Sequence, residues 1–401
     1  MRLSLASVFI SVYFFANIIL GIYYGIYGSL GGDFKNEIIN DYNVYVAAYI
    51  GEIISMVIFL LILRVIYIYV TVKNVIVTSN RVLSIFVFFI QTSFLLYSYY
   101  TGVGQLSDDF YNITVDNPLK YIFTFFNADY LFLAYFCISR RLSKANIALY
   151  LLSNLYRGWF AGALVNIVFI SAAKILKTQG VKFKYIIMGG IMFMILAPAI
   201  YYIKYVTRGA ENTETTAVSS YYSNEMYNEI INAAFSRFQH ISETYSIIDN
   251  INIIRNGMEQ KRFVPFFFEN PAKKQLVYIF GYNDDLTITQ FAAENILHKI
   301  PGNIHVGILT WLLVDPFLSI AYVFFLIFSF ITLVFLLKKL TPENVWPYCV
   351  WVTLLLAMHG WFTSYFMFIW SLFVIYIMKN MALSIYSRGG ACVSINSICG
   401  K

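Results

Sequence analysis

The sequence predicts an all-α polytopic membrane protein with about ten transmembrane helices and one large helical loop outside the membrane. Of its 401 residues, 59% are hydrophobic and only 12% are charged, whereas about a quarter of the residues of a typical soluble domain are charged. Such a chain has too few polar side chains to cover a soluble globule. The composition therefore excludes a soluble enzyme, a disordered scaffold and a nucleic-acid-binding module.

The apolar runs predict the individual spans, because a helix needs about 20 apolar residues to cross a bilayer. Candidate spans lie near 3–27, 45–72, 81–101, 119–138, 185–205 and 316–337. The first run lacks a small-residue cleavage site and is read as a retained helix. The segment 206–302 is too polar to be membrane-embedded, so we divide the chain into an N-terminal bundle (1–205), a large outer loop (206–302) and a C-terminal bundle with a short tail (303–401).

The placement of lysine and arginine orients these spans. With the N-terminus inside, the predicted inner loops and tails hold fifteen basic residues and one acid, Glu343. The short outer loops hold two lysines and six acids. Both termini are therefore predicted to be cytoplasmic, and the inner face accounts for most of the net charge of +7.

Two further apolar stretches, 145–173 and 345–378, are too long for one span and too short for two spans of ordinary length. If 145–173 crossed once, the lysines that follow it would face outward, so we predict a hairpin with its turn at Arg157-Gly158. Each arm of about 18–24 Å falls short of a hydrocarbon core of about 30 Å, so Arg157 should be recessed at the floor of a water-filled outer cavity. The second stretch predicts a similar hairpin with its turn at His359-Gly360.

The outer loop has one clear element, a predicted helix near 222–254. Apolar residues recur there at intervals of three and four positions, from Ile230 to Ile248. Arg237, His240 and Thr244 would lie side by side on the flank of that apolar stripe. We interpret the helix as a lid or interfacial helix that roofs a cavity.

Arg157 is the first candidate for chemistry, because an arginine inside a membrane costs about 2.5–3.5 kcal/mol unless it is solvated, paired or used. A guanidinium can grip a phosphate group with two parallel hydrogen bonds. The alternative is a structural ion pair with an intramembrane acid such as Glu52 or Asp129.

The remaining candidates are basic residues near the outer face. Arg237 would bind an anion beside His240, which would accept a proton from a hydroxyl group, unless both only form a solvated helix face. Arg208 and Arg255 are candidate substrate contacts, although Arg208 could simply reach the interface. His305, at the start of a short re-entrant piece before Asp315-Pro316, and His359 are further candidate contacts; a lone histidine at such a place is often structural. No zinc or nucleotide motif occurs, so we expect neither a metal nor another cofactor.

Several features together resemble the oligosaccharide repeat unit polymerase (Wzy) family. They are the span count, Tyr156-Arg157-Gly158 at the turn of a short hairpin, a large outer loop with arginine and histidine, and the run from Pro301 to Gly307 (PGNIHVG). The sequence departs from one form of the family pattern, since Val168 and Ile248 stand where a glycine follows each key arginine by eleven positions.

The resemblance implies a lipid-substrate glycosyltransferase in the bacterial inner membrane with its active site facing the periplasm. It would transfer a growing glycan from undecaprenyl diphosphate to the terminal sugar of a new lipid-linked unit, with Arg157 and Arg237 holding the diphosphate. Expected partners are the lipid-linked oligosaccharide, membrane lipid, a chain-length regulator and a flippase, but no nucleic acid. The alternatives are a lipid-linked oligosaccharide flippase, an O-antigen ligase and a membrane acyltransferase.

Overall fold

The computed structural model describes residues 2–35, 37–73, 75–76, 81–104, 118–140, 143–176, 180–207, 223, 227, 230, 238–270, 272–298, 304–341 and 343–388, without the side chains of 204–207 and 382–388. Helices form most of this part of the chain. Two short strands, β1 (Arg2–Leu3) and β2 (Val181–Lys182), pair in antiparallel orientation.

Among the described residues, seven helices are long and apolar enough to cross a membrane, which confirms the predicted class of an all-α membrane protein. They are α1 (Leu5–Tyr27), α2 (Tyr42–Tyr69), α3 (Arg81–Thr101), α4 (Leu119–Phe125) with α5 (Ala128–Ile138), α8 (Phe183–Thr207), α14 (Pro316–Leu340) and α16 (Phe362–Arg388). Helices α4 and α5 together count as one span. The shorter helices of the bundle are α6 (Lys144–Tyr156), α7 (Phe160–Leu176) and α15 (Val345–Val352), which continues into a π-helical turn, Thr353–Ala357.

In the described part of the segment between α8 and α14, there are five short helices. They are α9 (Ile241–Asp249), α10 (Ile251–Glu259), α11 (Lys273–Phe280), α12 (Ile288–Asn295) and α13 (Thr310–Val314). The described chain also has 3₁₀ turns at Gly32–Phe34 and Phe266–Phe268.

Side-chain caps fix where several of the spans begin. Asp41 accepts hydrogen bonds from the backbone N–H groups of Asn43 and Val44 and so starts α2. Asn127 caps α5 in the same way, directly after the chain leaves α4. Asp315 caps α14 with Pro316 in its first turn, where proline is tolerated because that N–H needs no helical partner. The break predicted at Asp315-Pro316 is therefore present.

Both predicted hairpins are present, and their turns have the same backbone hydrogen bonds. Gly158 N donates to Leu155 O, and Gly360 N donates to Ala357 O. Trp159 N and Trp361 N each donate to the carbonyl five residues earlier. Both glycines have a positive φ, +80° and +76°, which residues with a side chain rarely adopt. The arms of the first hairpin contain 13 and 17 residues, or about 20 and 26 Å, so the second arm is slightly longer than predicted. In the second hairpin, α16 has 27 residues and is long enough to cross a membrane, so the prediction that this hairpin repeats the short arms is wrong.

Contacts between loops sort the helix ends into two groups. At one end, β1 pairs with β2, and the Lys338 ammonium donates to the carbonyls of Tyr67 and Val70. These segments all belong to the predicted inner loops. At the other end, Gly31 N donates to Ser242 Oγ, at 3.0 Å. That contact joins a predicted outer loop to the 206–302 segment.

The prediction of one helix near 222–254 is wrong, and so is the picture of that helix as a roof. The chain is not helical at 238–240, and Asn250 separates α9 from α10. Seven consecutive residues of α9, from Ile241 to Ile247, are buried, and the helix packs against α2. Apolar periodicity shows which face is buried but not what covers it; here α9 is inserted into the bundle rather than laid over it.

Candidate functional site

Three non-helical segments next to helix ends bring three of the four histidines together in one buried group, which we call the histidine cluster. His240 directly precedes α9, His305 lies in the extended stretch before α13, and His359 lies in the turn before α16. The ring centroid of His359 is 4.3 Å from that of His240 and 4.4 Å from that of His305. The side chains are 0–3% exposed.

Two glycines allow these segments to approach each other. Val306 N donates to the carbonyl of His359 at 3.3 Å. A Cβ atom on Gly360 would lie 2.5 Å from Val306 Cγ2, and a Cβ atom on Gly307 would lie 2.7 Å from Thr244 Oγ1. Both glycines have a positive φ. A residue with a side chain at either position would therefore be strained and would push the segments apart.

Helix α1 holds two of the histidines through polar residues in its middle. Asn17 Oδ1 accepts a hydrogen bond from His240 N at 2.9 Å, and its amide group donates to Phe238 O at 2.7 Å. The Tyr13 hydroxyl lies 3.0 and 3.1 Å from the two ring nitrogens of His359. The backbone before α9 is thus fixed to a spanning helix.

The neighbours of His359 determine its tautomer. Its Nδ1 lies 2.9 Å from the carbonyl oxygen of Leu354. A carbonyl can only accept, so Nδ1 carries the proton and donates to it. Nε2 is then the acceptor for the Tyr13 hydroxyl. Both ring nitrogens of His359 are therefore already engaged.

Glu52 faces His240 from α2. Its Oε1 lies 4.0 Å from His240 Nδ1, and its Oε2 accepts a hydrogen bond from Thr244 Oγ1 at 3.0 Å. Burial lowers the pKa of His240, the proximity of His359 lowers it further, and a backbone contact at Met358 opposes both effects. His240 is therefore a neutral imidazole at pH 7, able to accept a proton beside a carboxyl group.

The histidine cluster lies deep in the bundle. Glu52 is ten residues after the start of α2, which corresponds to a depth of about 15 Å. On the far side of the cluster, the indole of Trp361 stacks on His305 with centroids 4.6 Å apart and planes at 23°. Groups that can ionise at such a depth are expensive to keep and usually serve function.

Arg157 lies elsewhere, at the turn between α6 and α7, and is paired with Asp129 of α5. Its Nη2 lies 2.7 and 2.9 Å from the two carboxylate oxygens, and its Nε donates to Ser153 O. The guanidinium also packs 4.9 Å from the centroid of the Phe94 ring. The residue is 5% exposed. The structure thus forms the ion pair that the sequence left open as the alternative to a phosphate site.

Arg255, the other predicted arginine among the described residues, contacts the end of α13. The guanidinium of Arg255 donates to the carbonyls of Leu313 and Val314, so this exposed side chain caps the end of α13. Arg208 and Arg237 lie outside the described residues.

Sequence reasoning selected the three histidines separately but did not predict that they meet. It missed Tyr13, Asn17 and Trp361 and named Glu52 as a possible structural partner of Arg157. The available signal was the presence of Asn17 and Glu52 inside otherwise apolar spans, because polar groups in such positions need a specific partner.

Within the described ranges, no group of three or more histidine, cysteine or acidic residues has the geometry to hold a metal ion. No family model, no curated protein and no solved structure matches this chain.

Proposed function

We propose that the protein polymerises undecaprenyl-diphosphate-linked oligosaccharide repeat units. One observation carries the proposal: a neutral histidine, His240, faces a carboxyl group, Glu52, inside a buried polar cluster that a segment of the outer loop completes. This arrangement suits a general base for a hydroxyl group. The resemblance to repeat unit polymerases supplies the substrate class.

The reaction needs one proton acceptor and one leaving group. The acceptor hydroxyl oxygen forms a bond to the anomeric carbon of the donor glycan, whose bond to the diphosphate oxygen breaks. The lipid diphosphate leaves with the electron pair of that bond, and the hydroxyl proton passes to a nitrogen of His240. Glu52, 4.0 Å away, stabilises the resulting imidazolium ion. A positioned base of this kind contributes a factor of about 10²–10⁴.

His240 suits this role better than the other two histidines of the cluster. Both nitrogens of His359 are engaged by Leu354 and Tyr13. His305 is stacked on Trp361. His240 faces the Glu52 carboxyl group at 4.0 Å. We therefore assign proton acceptance to His240 and positioning to His305 and His359.

The diphosphate would be bound by arginines of the outer loop, Arg208 and Arg237. Fixed cations stabilise the charge that builds on a leaving diphosphate. Arg157 could contribute only by releasing Asp129, with which it shares two short contacts. Arg255 would support the site indirectly, through the end of α13.

The proposed topology has about ten spans, with α6, α7 and α15 crossing as short arms in addition to the seven longer helices. Both termini would be cytoplasmic in the bacterial inner membrane, and the histidine cluster would open toward the periplasm. The grouping of the predicted inner loops at one end of the bundle supports this arrangement.

The test uses a strain whose long-chain surface polysaccharide depends on this chain. His240→Gln should leave the protein in the membrane but cause single repeat units to accumulate on the lipid carrier at the outer face. The matched control is His298→Gln, since His298 is exposed and lies outside the histidine cluster. Normal chain length in the His240 variant would refute the proposed base.

A second candidate, a lipid-linked oligosaccharide flippase, is favoured by the deep burial of the histidine cluster, because proton-driven carriers also place such groups inside the membrane. The same strain separates the candidates. Loss of a flippase leaves no repeat units at the outer face, whereas loss of a ligase leaves long chains that are not attached to their final lipid.

A further inference from the structure

Four buried polar groups follow one another from the histidine cluster toward the end of the bundle where the outer-loop segments lie. Within the described chain, Glu52 and Glu269 at Oε1 and Tyr322 at its hydroxyl lack a hydrogen-bond partner, and neither ring nitrogen of His240 makes a hydrogen bond of regular geometry. All four residues are at most 1% exposed. Native proteins satisfy almost all such groups, and water usually does so where protein atoms do not.

Tyr322 lies near both carboxyl groups. The centroid of its ring lies 5.1 Å from that of Phe266 and 5.7 Å from that of Phe362. Phe266 is three residues before Glu269, and Phe362 directly precedes Thr363, the hydrogen-bond partner of Glu269. The Tyr322 hydroxyl interacts electrostatically with both Glu52 and Glu269. Tyr322 is six residues after the start of α14, so it lies at a depth of about 9 Å, above Glu52.

Glu269 packs beside the first residues of α16, the helix that follows the turn containing His359. Its Oε2 accepts hydrogen bonds from Thr363 N at 3.1 Å and from Thr363 Oγ1 at 2.9 Å. Burial raises the pKa of Glu269 to about 7, although Thr363 and Lys273 oppose the shift. A carboxyl group with this pKa exchanges its proton readily near neutral pH.

We propose that His240, Glu52, Tyr322 and Glu269 form a water-bridged exit path that carries a proton from the histidine cluster to the outer end of the bundle. The inference rests on the proposed function for the source of that proton. It assigns relay roles to Tyr322 and Glu269, which lie outside the histidine cluster.

The transfer is balanced at every step. The imidazolium of His240 gives its proton to the carboxylate of Glu52 and returns to the neutral form. Glu52 passes the proton through water to the Tyr322 oxygen while the Tyr322 hydroxyl proton moves on to the carboxylate of Glu269. Glu269 then releases a proton to the outer solvent, and all four groups regain their starting charge.

The charged and titratable groups along the exit path are few in the described structure. Lys273 faces Glu269 from α11 and is itself near Asp285 and Lys274. Tyr365 of α16 interacts with Tyr322. Lys273 therefore favours the ionised form of Glu269, which is the form that accepts the proton.

The first experiment measures the rate of chain extension against pH with the full-length protein in liposomes. The wild-type rate should rise through a midpoint near pH 7, as Glu269 becomes able to accept a proton. Tyr322→Phe should slow extension by about tenfold or more, and Glu269→Gln should slow it and abolish the midpoint. The matched control is Tyr348→Phe, which removes a buried hydroxyl away from the exit path and should leave rate and profile unchanged.

The second experiment does not depend on activity. Infrared difference spectra between wild type and Glu269→Gln report the protonated carboxyl of Glu269 across the pH range. If the groups are coupled through the exit path, Tyr322→Phe and Glu52→Gln should each shift the midpoint of that titration, whereas Tyr348→Phe should not.

These readouts separate the two proposals. A wild-type rate in His240→Gln would refute the proposed base, and the infrared coupling would then decide the exit path on its own. The opposite result has two parts: His240→Gln loses chain extension, whereas Tyr322→Phe extends chains at the normal rate and leaves the Glu269 titration unshifted. That result would overturn the exit path and leave the transferase proposal standing.

Discussion

His240 Nδ1 lies 4.0 Å from Glu52 Oε1, although one residue belongs to the outer-loop segment and the other to the interior of a spanning helix. The carboxyl is oriented by the Thr244 hydroxyl, and Asn17 anchors the His240 backbone. Two spanning helices therefore position a segment that the sequence assigns to the loop. The proposed chemistry depends on this pair.

Glu52→Gln tests the pair without removing its packing. The glutamine carbonyl oxygen can still accept from Thr244, so the protein should accumulate normally. The carboxyl group that faces His240 is replaced by an amide, which cannot take up a proton from His240, and we expect chain extension to fall about a hundredfold. Repeat-unit ladders on gels measure the effect. Glu259→Gln, at an exposed position on α10, is the control, and an unchanged ladder for Glu52→Gln would contradict the assignment.

The Arg157–Asp129 pair is expected to stabilise the fold. Removing one partner leaves a poorly solvated charge, which typically costs about 3–5 kcal/mol; we expect the lower end because the Asp129 side chain is 23% exposed. Arg157→Ala and Asp129→Ala should each lower the melting temperature and the amount of protein in the membrane. The double variant Arg157→Met/Asp129→Leu should recover most of that loss.

The double variant also decides whether Arg157 binds phosphate. If the pair is structural, the stable double variant should extend chains normally. A stable double variant that cannot extend chains would instead indicate that Arg157 binds the substrate phosphate. Melting temperatures report whether the pair stabilises the fold, and repeat-unit ladders on gels report whether Arg157 is needed for chain extension.

The sequence predicted the spans and both hairpin turns, because apolar length and lysine placement are local properties of the chain. It proposed His240, His305 and His359 on separate grounds. It did not predict that they meet, since that depends on α9 being inserted beside α2 rather than lying on the surface. An apolar stripe cannot distinguish these two environments.

The partner of Arg157 shows the same limit. The sequence indicated a recessed arginine and named Asp129 as one partner, but the choice between a carboxylate and a phosphate depends on where α5 lies relative to the turn. Asn127 Oδ1 accepts hydrogen bonds from the backbone N–H groups of Asp129 and Tyr130 and so caps the start of α5, which brings the carboxylate opposite the guanidinium.

Gly307 and Gly360 are expected to be intolerant of alanine. Each has a positive φ, and a Cβ atom would contact Thr244 or Val306 at less than 3 Å. Gly281→Ala is the matched control, because Gly281 also has a positive φ but open space around it. The control should cost about 1–2 kcal/mol, and the two site variants should cost more and abolish chain extension. Equal melting temperatures for all three variants would argue against the close approach.

Glu269 should make the stability of the protein depend on pH. Its pKa is 4.5 in the unfolded chain and about 7 in the folded protein, so the folded state retains the proton between these values. The free energy of unfolding should therefore fall as pH rises from 4.5 to about 7, by about 3 kcal/mol in total, and then level off. Glu269→Gln should remove that fall and melt higher than wild type at pH 8, whereas Glu259→Gln should keep the wild-type dependence. Melting curves in detergent at a series of pH values measure this, and a wild-type slope in Glu269→Gln would mean that another group causes it.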